Sequence, residues 1–181
     1  MAVLIGYASM LGSTREIAEH IGRTLTEHGI ENDVCSLDQV GSTRQYEAFI
    51  LGSAVRDMSW LPQAVAFVRT RQADLAQRPV WLFSVGSKDS LHGPIGRRLA
   101  ARYPTPRGIA QLQDSLDVRE HRILTGVIHR DQYPWPSRIV VKLLGGRYGD
   151  FRDWKSIDIW AEEMARTLAG GSRQAADAGE G

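Results

Sequence analysis

Gly6-Tyr7-Ala8-Ser9-Met10-Leu11-Gly12-Ser13-Thr14-Arg15-Glu16 decides how the chain is organised. It follows a short apolar run, Ala2 to Tyr7, and opens an amphipathic run, Ser13 to His28, in which Ile17, Ile21 and Leu25 recur at helical spacing. Strand, tight polar loop, then helix is how an α/β protein builds an anion site. The helix start leaves N–H groups unpaired and carries a partial positive charge. Ser9, Ser13 and Thr14 add hydroxyl donors, and Gly12 lets the backbone come close to a ligand. The stretch reads as a phosphate cradle; the bland alternative is an ordinary strand-to-helix turn with an N-cap.

The kind of phosphate is constrained by what the loop lacks. There is no Gly-Lys-Ser/Thr ending, so it is not a nucleoside-triphosphate loop. The dinucleotide fingerprint G-x-G-x-x-G is absent. No aspartate ends the first strand, which argues against a phospho-receiver. A loop of hydroxyls and glycine without lysine suits a single phosphate, and Ser9-x-x-Gly12-x-Thr14 resembles the flavodoxin loop for the FMN phosphate.

Working outward, strands are expected near Val3 to Tyr7, Asp33 to Leu37, Tyr46 to Ser53, Pro79 to Val85 and Arg122 to Ile128. The third has a continuous apolar core, Ala48 to Leu51, and the fourth is almost wholly apolar, as suits parallel strands buried on both faces. The first helix should stop at Gly29. A second should run from Pro62 to about Ala76 with Val65, Val68 and Leu75 inward. Pro94 to Arg102 suits a partial helix and Ile109 to Leu116 a short amphipathic one. The last helix region, Phe151 to Leu168, places Ile157, Trp160, Ala161, Met164 and Leu168 on one face, with Asp153 as N-cap and Gly170 as stop. Residues 1–170 form one domain in this reading, and 171–181 a disordered tail. Strands alternating with helices indicate a doubly wound parallel α/β sheet, with an insertion after strand five. Right-handed crossovers gather the loops after strands one, three and four at the carboxyl edge.

The length, 181 residues, suits one such domain, and a net charge of +1 gives no field for nucleic acid. Cys35 is the only cysteine, so no internal disulfide can form. That suits a reducing, cytoplasmic setting, with Cys35 a small buried hydrophobe. The chain starts directly on a strand, without the pattern of a signal peptide, and no run approaches a membrane span. His20 and His28 lie two turns apart on one helix without a third ligand nearby, so a solvated face is expected and not a metal site.

Taken together, the chain resembles the menaquinone-dependent protoporphyrinogen dehydrogenases over roughly residues 3 to 168. These are flavodoxin-fold FMN enzymes that oxidise protoporphyrinogen IX. The resemblance is carried by Ser9 to Ala18, by Gly52-Ser53-Ala54-Val55-Arg56 and by Phe83-Ser84-Val85. Pro134-Trp135-Pro136, Lys142-Leu143-Leu144 and Asp153-Trp154 extend it. It implies a flavodoxin-like sheet of strand order 2-1-3-4-5 and an FMN cofactor. Ser9, Met10, Leu11, Gly12, Ser13 and Thr14 would then hold the phosphate. Ala54, Val55, Arg56 and Asp57 would lie along the isoalloxazine, and Ser84, Val85, Gly86 and Ser87 would close its other side. It also implies an oxidoreductase with a porphyrinogen substrate and a quinone acceptor. The chain departs from the family at Met10-Leu11, usually Arg-Asp, and through Gly86 to Arg107. The competing readings are an FMN electron carrier, an NAD(P)H:quinone reductase and an interaction module that has lost FMN.

Individual residues carry two readings each. Arg56 suits a substrate or flavin-carbonyl partner, or a solvated arginine paired with Asp57. Trp60 suits a flavin-stacking ring or a core cap beside Leu61. Lys88 and Asp89 read as a solvated turn, and His92 and His129 as candidates to sit near a substrate carboxylate. Between His129 and Lys155 there are six basic residues against three acidic ones, interleaved with Tyr133, Trp135, Ile139, Leu143, Leu144 and Tyr148. Trp135, Arg138, Lys142 and Arg147 therefore read as a surface for a flat apolar carboxylated substrate or for anionic headgroups at the inner face of a membrane. The alternative is a helix packed on the sheet with its basic stems snorkelling.

Overall fold

Leu4 and Ile5, Phe49 to Leu51, and Leu82 and Phe83 are fully buried on both faces of their strands, as continuous apolar runs require. The computed structural model describes residues 2–87, 98, 104–128 and 148–178. In chain order its elements are β1 (Ala2–Ala8), α1 (Ser13–Glu27), β2 (Glu31–Ser36), β3 (Ala48–Arg56), β4 (Ser59–Trp60), α2 (Pro62–Thr70) and α3 (Gln72–Leu75). They continue as β5 (Val80–Gly86), α4 (Ile109–Ser115), β6 (Val118–Thr125), β7 (Val127–Ile128), β8 (Gly149–Asp150) and α5 (Trp154–Ala178).

The sheet runs β2-β1-β3-β5-β6, every neighbour parallel, with β4 folded back antiparallel on β3. Setting β4 aside, this is the order 2-1-3-4-5 expected of five strands. Two apolar layers cover it. Ile17, Ile21 and Leu25 of α1 and Ile157, Trp160 and Met164 of α5 pack on one face; Ala64, Phe67 and Val68 of α2 and Ile109 of α4 pack on the other. The sheet interior needs a glycine at Gly52, whose register partner is Phe83. A Cβ there would lie 1.9–2.3 Å from the Phe83 ring, which itself packs edge-on against Trp160 at 6.2 Å.

Several boundaries differ from expectation. The third strand continues to Arg56 and turns back through β4. The helix from Pro62 breaks at Arg71, and Val65, expected inward, is 41 % exposed; Ala64, Phe67 and Val68 carry the buried face. The fifth strand starts earlier, at Val118. The last helix, expected to stop at Gly170, continues to Ala178. An interior glycine costs only about 1 kcal/mol against alanine, and Arg173, Gln174, Ala175 and Ala176 are strong helix formers. Gly29 (φ 74°) and Asp153, whose Oδ1 accepts the Ser156 N–H at 3.1 Å, act as expected at their helix ends. The expected partial helix at Pro94 to Arg102 falls almost wholly outside the described residues. Lys88, Asp89, His92, His129, Trp135, Arg138, Lys142 and Arg147 lie outside them too. Among the described residues no helix is long and apolar enough to cross a membrane, and no three metal-ligating side chains cluster.

Candidate functional site

The loops after β1, β3, β5 and β6 meet at the carboxyl edge, where β1 and β3 flank the switch in strand order. Gly12 forms the N-cap of α1 with φ 95°, a left-handed conformation that costs a glycine little. No side chain caps this helix start. The Ser9 hydroxyl accepts the Gly12 N–H at 3.0 Å, so Ser9 shapes the loop from within. Thr14 is fully buried, and its hydroxyl has no hydrogen-bond partner among the described residues. Leaving such a group unpaired costs about 1–3 kcal/mol. An uncapped helix start beside an unsatisfied buried hydroxyl fits an arriving phosphate, which would accept from both.

Above this loop opens a cleft lined by Met10, Leu11, Ser13, Ala54, Val55, Val85, Gly86, Ser87, Gly126 and Val127. Eight of the expected residues thus share one cavity. Gly126 and Val127 escaped the sequence reading. Gly126 donates its N–H to the Gly86 carbonyl at 3.0 Å, and a Cβ on it would stand 2.8 Å from both Ser13 Oγ and Val85 Cγ1. An isolated glycine inside the strand expected from Arg122 to Ile128 was the available signal, since such a glycine marks a close approach.

The far wall is a hairpin. Val55 pairs with Trp60 and Arg56 with Ser59, leaving a two-residue turn in which Asp57 (φ 51°) and Met58 (φ 59°) are both left-handed. Two positive φ values define the turn that matches strand twist, but neither residue is the glycine or asparagine that adopts it freely. Buried hydrogen bonds hold it. Ser53 Oγ accepts the Leu61 N–H at 3.0 Å, and Trp60 donates its indole N–H to Ser84 Oγ at 2.7 Å. Trp60 is therefore the core cap of the two readings. Ser84 is fully buried beneath the hairpin and is not part of the cleft lining. It shares the face of Leu82 rather than that of the cavity.

Ser84 passes the chain on to His121 Nε2 at 2.8 Å. Trp60 occupies one lone pair of Ser84 Oγ, and the contact to His121 is made by the serine proton or by its second lone pair according to the imidazole tautomer. Burial holds the His121 pKa below its ordinary 6.5. The unfolded chain then binds the extra proton first, so stability falls as pH drops below about 6.5. His121→Gln keeps an acceptor but cannot titrate. Chemical denaturation between pH 7.5 and 5 should show a decline in the wild type that this variant lacks; parallel curves would refute it. Asp150, held below its ordinary 3.8 first by hydrogen bonding to Arg152, contributes only at more acidic pH.

At the rim, Met10 and Leu11 are 51 % and 53 % exposed and stand next to each other. Arg56 Nη1 approaches Met10 Sδ at 4.0 Å, while its Nε lies a loose 3.8 Å from the exposed Asp57 carboxylate. Arg56 is thus a cation at the cleft mouth that Asp57 only weakly engages. His20, expected on a solvated face, instead meets Asp158 at 2.5 Å and leans on the Trp154 ring at 4.7 Å.

Comparison with known proteins agrees with this geometry. Residues 4–152 match the family model described as Flavodoxin domain. Protoporphyrinogen IX dehydrogenase (quinone) of Escherichia coli (strain K12) is 25% identical over 180 residues, covering 91% of this chain and 95% of that protein. Oxidised flavodoxin 1 from Bacillus cereus superimposes with a TM-score of 0.60 at 17% identity, covering 92% of this chain and 98% of that one. A flavodoxin of Streptococcus pneumonia TIGR4 does so with 0.58 at 15%, covering 92% and 99%. The chain therefore belongs to the flavodoxin domain family, and its cofactor is FMN.

Proposed function

We propose that the protein is an FMN-dependent oxidoreductase that oxidises protoporphyrinogen IX, or a related flat reduced substrate carrying carboxylates, with a quinone as acceptor. The observation that carries this reading is the cleft rim, where exposed Met10 and Leu11 stand beside the loosely held Arg56 cation. An apolar wall with one available positive charge suits a flat apolar molecule with an acidic substituent. An electron carrier recruits protein partners with a strong field, and a net charge of +1 supplies none. The similarity to an enzyme along nearly the full length points the same way.

In this reading the first turn of α1, with Ser13 and Thr14, holds the phosphate, and Ser9 keeps Gly12 in the conformation that presents it. The bound flavin supplies the electron-accepting chemistry. Ala54 and Val55 form an apolar wall for its ring, Val85, Gly86 and Ser87 the opposite one, and Gly126 leaves room between Ser13 and Val85. Arg56 orients a substrate carboxylate, and the hairpin's buried tether through Trp60 keeps that cation in place. The segment from Tyr133 to Tyr148 completes the substrate surface and makes a peripheral contact with the inner face of the membrane, where lipid quinones reside.

Anaerobic mixing tests the reaction. Protoporphyrinogen IX should bleach the flavin band and a menaquinone analogue should restore it. No bleaching by protoporphyrinogen, with rapid bleaching by NADPH, would make the protein an NAD(P)H:quinone reductase. FMN itself should raise the melting temperature, since a ligand at 100 times its Kd stabilises the folded state by about 2.7 kcal/mol.

A further inference from the structure

Arg152 lies 136 residues from Glu16 in sequence, yet its Nη1 donates to Glu16 Oε2. Glu16 is in the first turn of α1, and its other oxygen, Oε1, sits 3.7 Å from where a Gly12 Cβ would be. A carboxylate thus leans on the very loop that presents the uncapped helix start and the unpaired Thr14 hydroxyl. Beside a dianionic phosphate it would be repulsive. The neighbouring cation, Arg15, feels Glu16 only through space and gives its hydrogen bond to Glu19 at 2.7 Å, so it does not hold Glu16 directly. Arg152 is built to do so. Its side chain is only 9% exposed, its Nε and Nη2 grip the Asp150 carboxylate at 2.8 and 2.6 Å, and its guanidinium lies 4.6 Å from the centre of the Trp154 ring. A guanidinium held in this way loses little further freedom in making its contact to Glu16.

We propose that Arg152 is a positioning residue of the phosphate cradle: it binds the Glu16 carboxylate alongside that of Asp150 and holds it to itself, so that the loop can accept a phosphate dianion. The proposal rests on the FMN reading of the loop and assigns to the site a residue from the opposite end of the domain. It makes the foot of β8, where the segment after β7 returns, part of cofactor selection.

The test is FMN and riboflavin titration by flavin fluorescence, since riboflavin lacks the phosphate. Arg152→Gln should weaken FMN binding on the order of tenfold, the size of a partly screened charge pair, and leave riboflavin affinity unchanged. Glu16→Gln should strengthen FMN binding several-fold, and the double variant should return it close to the wild-type value. Arg152→Lys, which keeps the charge without the two-point grip, should retain most of the FMN affinity. Equal loss of FMN and riboflavin in Arg152→Gln would make the cluster a structural clamp and overturn the proposal. So would unchanged or weaker FMN binding in Glu16→Gln, a variant at an exposed position that does not depend on the buried arginine for folding. A wild type that binds riboflavin and FMN equally would overturn both this proposal and the phosphate reading beneath it; a Glu16 effect missing from a wild type that prefers FMN would overturn this proposal alone.

Discussion

Thr14→Val is expected to stabilise the cofactor-free protein and weaken FMN binding at the same time. Valine keeps the branched shape of threonine and replaces the hydroxyl with a methyl. In the free protein that hydroxyl is fully buried without a partner among the described residues, so removing it relieves a desolvation cost of about 1 kcal/mol or more. For a domain of this size, that is a rise of roughly 2–4 °C in melting temperature per kcal/mol. When phosphate is bound the hydroxyl has an acceptor, and its loss should cost about 1–3 kcal/mol, or roughly five- to 150-fold in Kd. Ser9→Ala should behave differently, because Ser9 already accepts the Gly12 N–H. It should weaken FMN without stabilising the free protein. Melting curves with and without FMN, together with a fluorescence titration, separate the cases. If Thr14→Val lowers the melting temperature of the free protein, the hydroxyl has a structural partner. If its Kd for FMN is unchanged, the hydroxyl does not serve the phosphate.

Thr14 was legible in the sequence because a helix start after an apolar strand is a local pattern. The sheet was legible for the same reason: Phe49 to Leu51 and Val80 to Phe83 are apolar at every position, as a doubly covered parallel strand requires. The rest depended on contacts distant in sequence or on turns without a signature. Asp57-Met58 lacks the glycine or asparagine that announces a tight hairpin, so β3 was read as ending before the turn. The family resemblance implied Ser84 as a residue beside the flavin. Its alternation with Val80 and Leu82 already put it on the core face, where Trp60 and His121 meet it. The Glu16–Arg152 contact joins opposite ends of the domain, and no spacing rule reaches that far.

Reversing Arg138, Lys142 and Arg147 together to glutamate should abolish binding to anionic liposomes while leaving FMN affinity nearly intact. The charge balance from His129 to Lys155 is six basic residues against three acidic, in a chain whose net charge is only +1. Large apolar side chains are interleaved with those cations, a mixture that a solvated loop does not need. The described ends of the segment place its root. The chain leaves β7 at Ile128 and returns at Gly149, these two being paired, and Val127 lines the cleft. The segment therefore springs from the rim of the cavity and not from the phosphate loop. One cation near an anionic leaflet contributes about 1 kcal/mol, so replacing three attractions with three repulsions should shift the partition by several orders of magnitude at low salt. Salt should mimic the change in part, because such attraction is screened over about 8–10 Å at physiological ionic strength. KM for a carboxylated porphyrinogen should rise in the same variant. Sedimentation with phosphatidylserine vesicles and steady-state kinetics measure the two effects. Unchanged sedimentation and unchanged KM, with the melting temperature preserved, would return the segment to its other reading, a helix packed on the sheet whose basic stems reach past it to water.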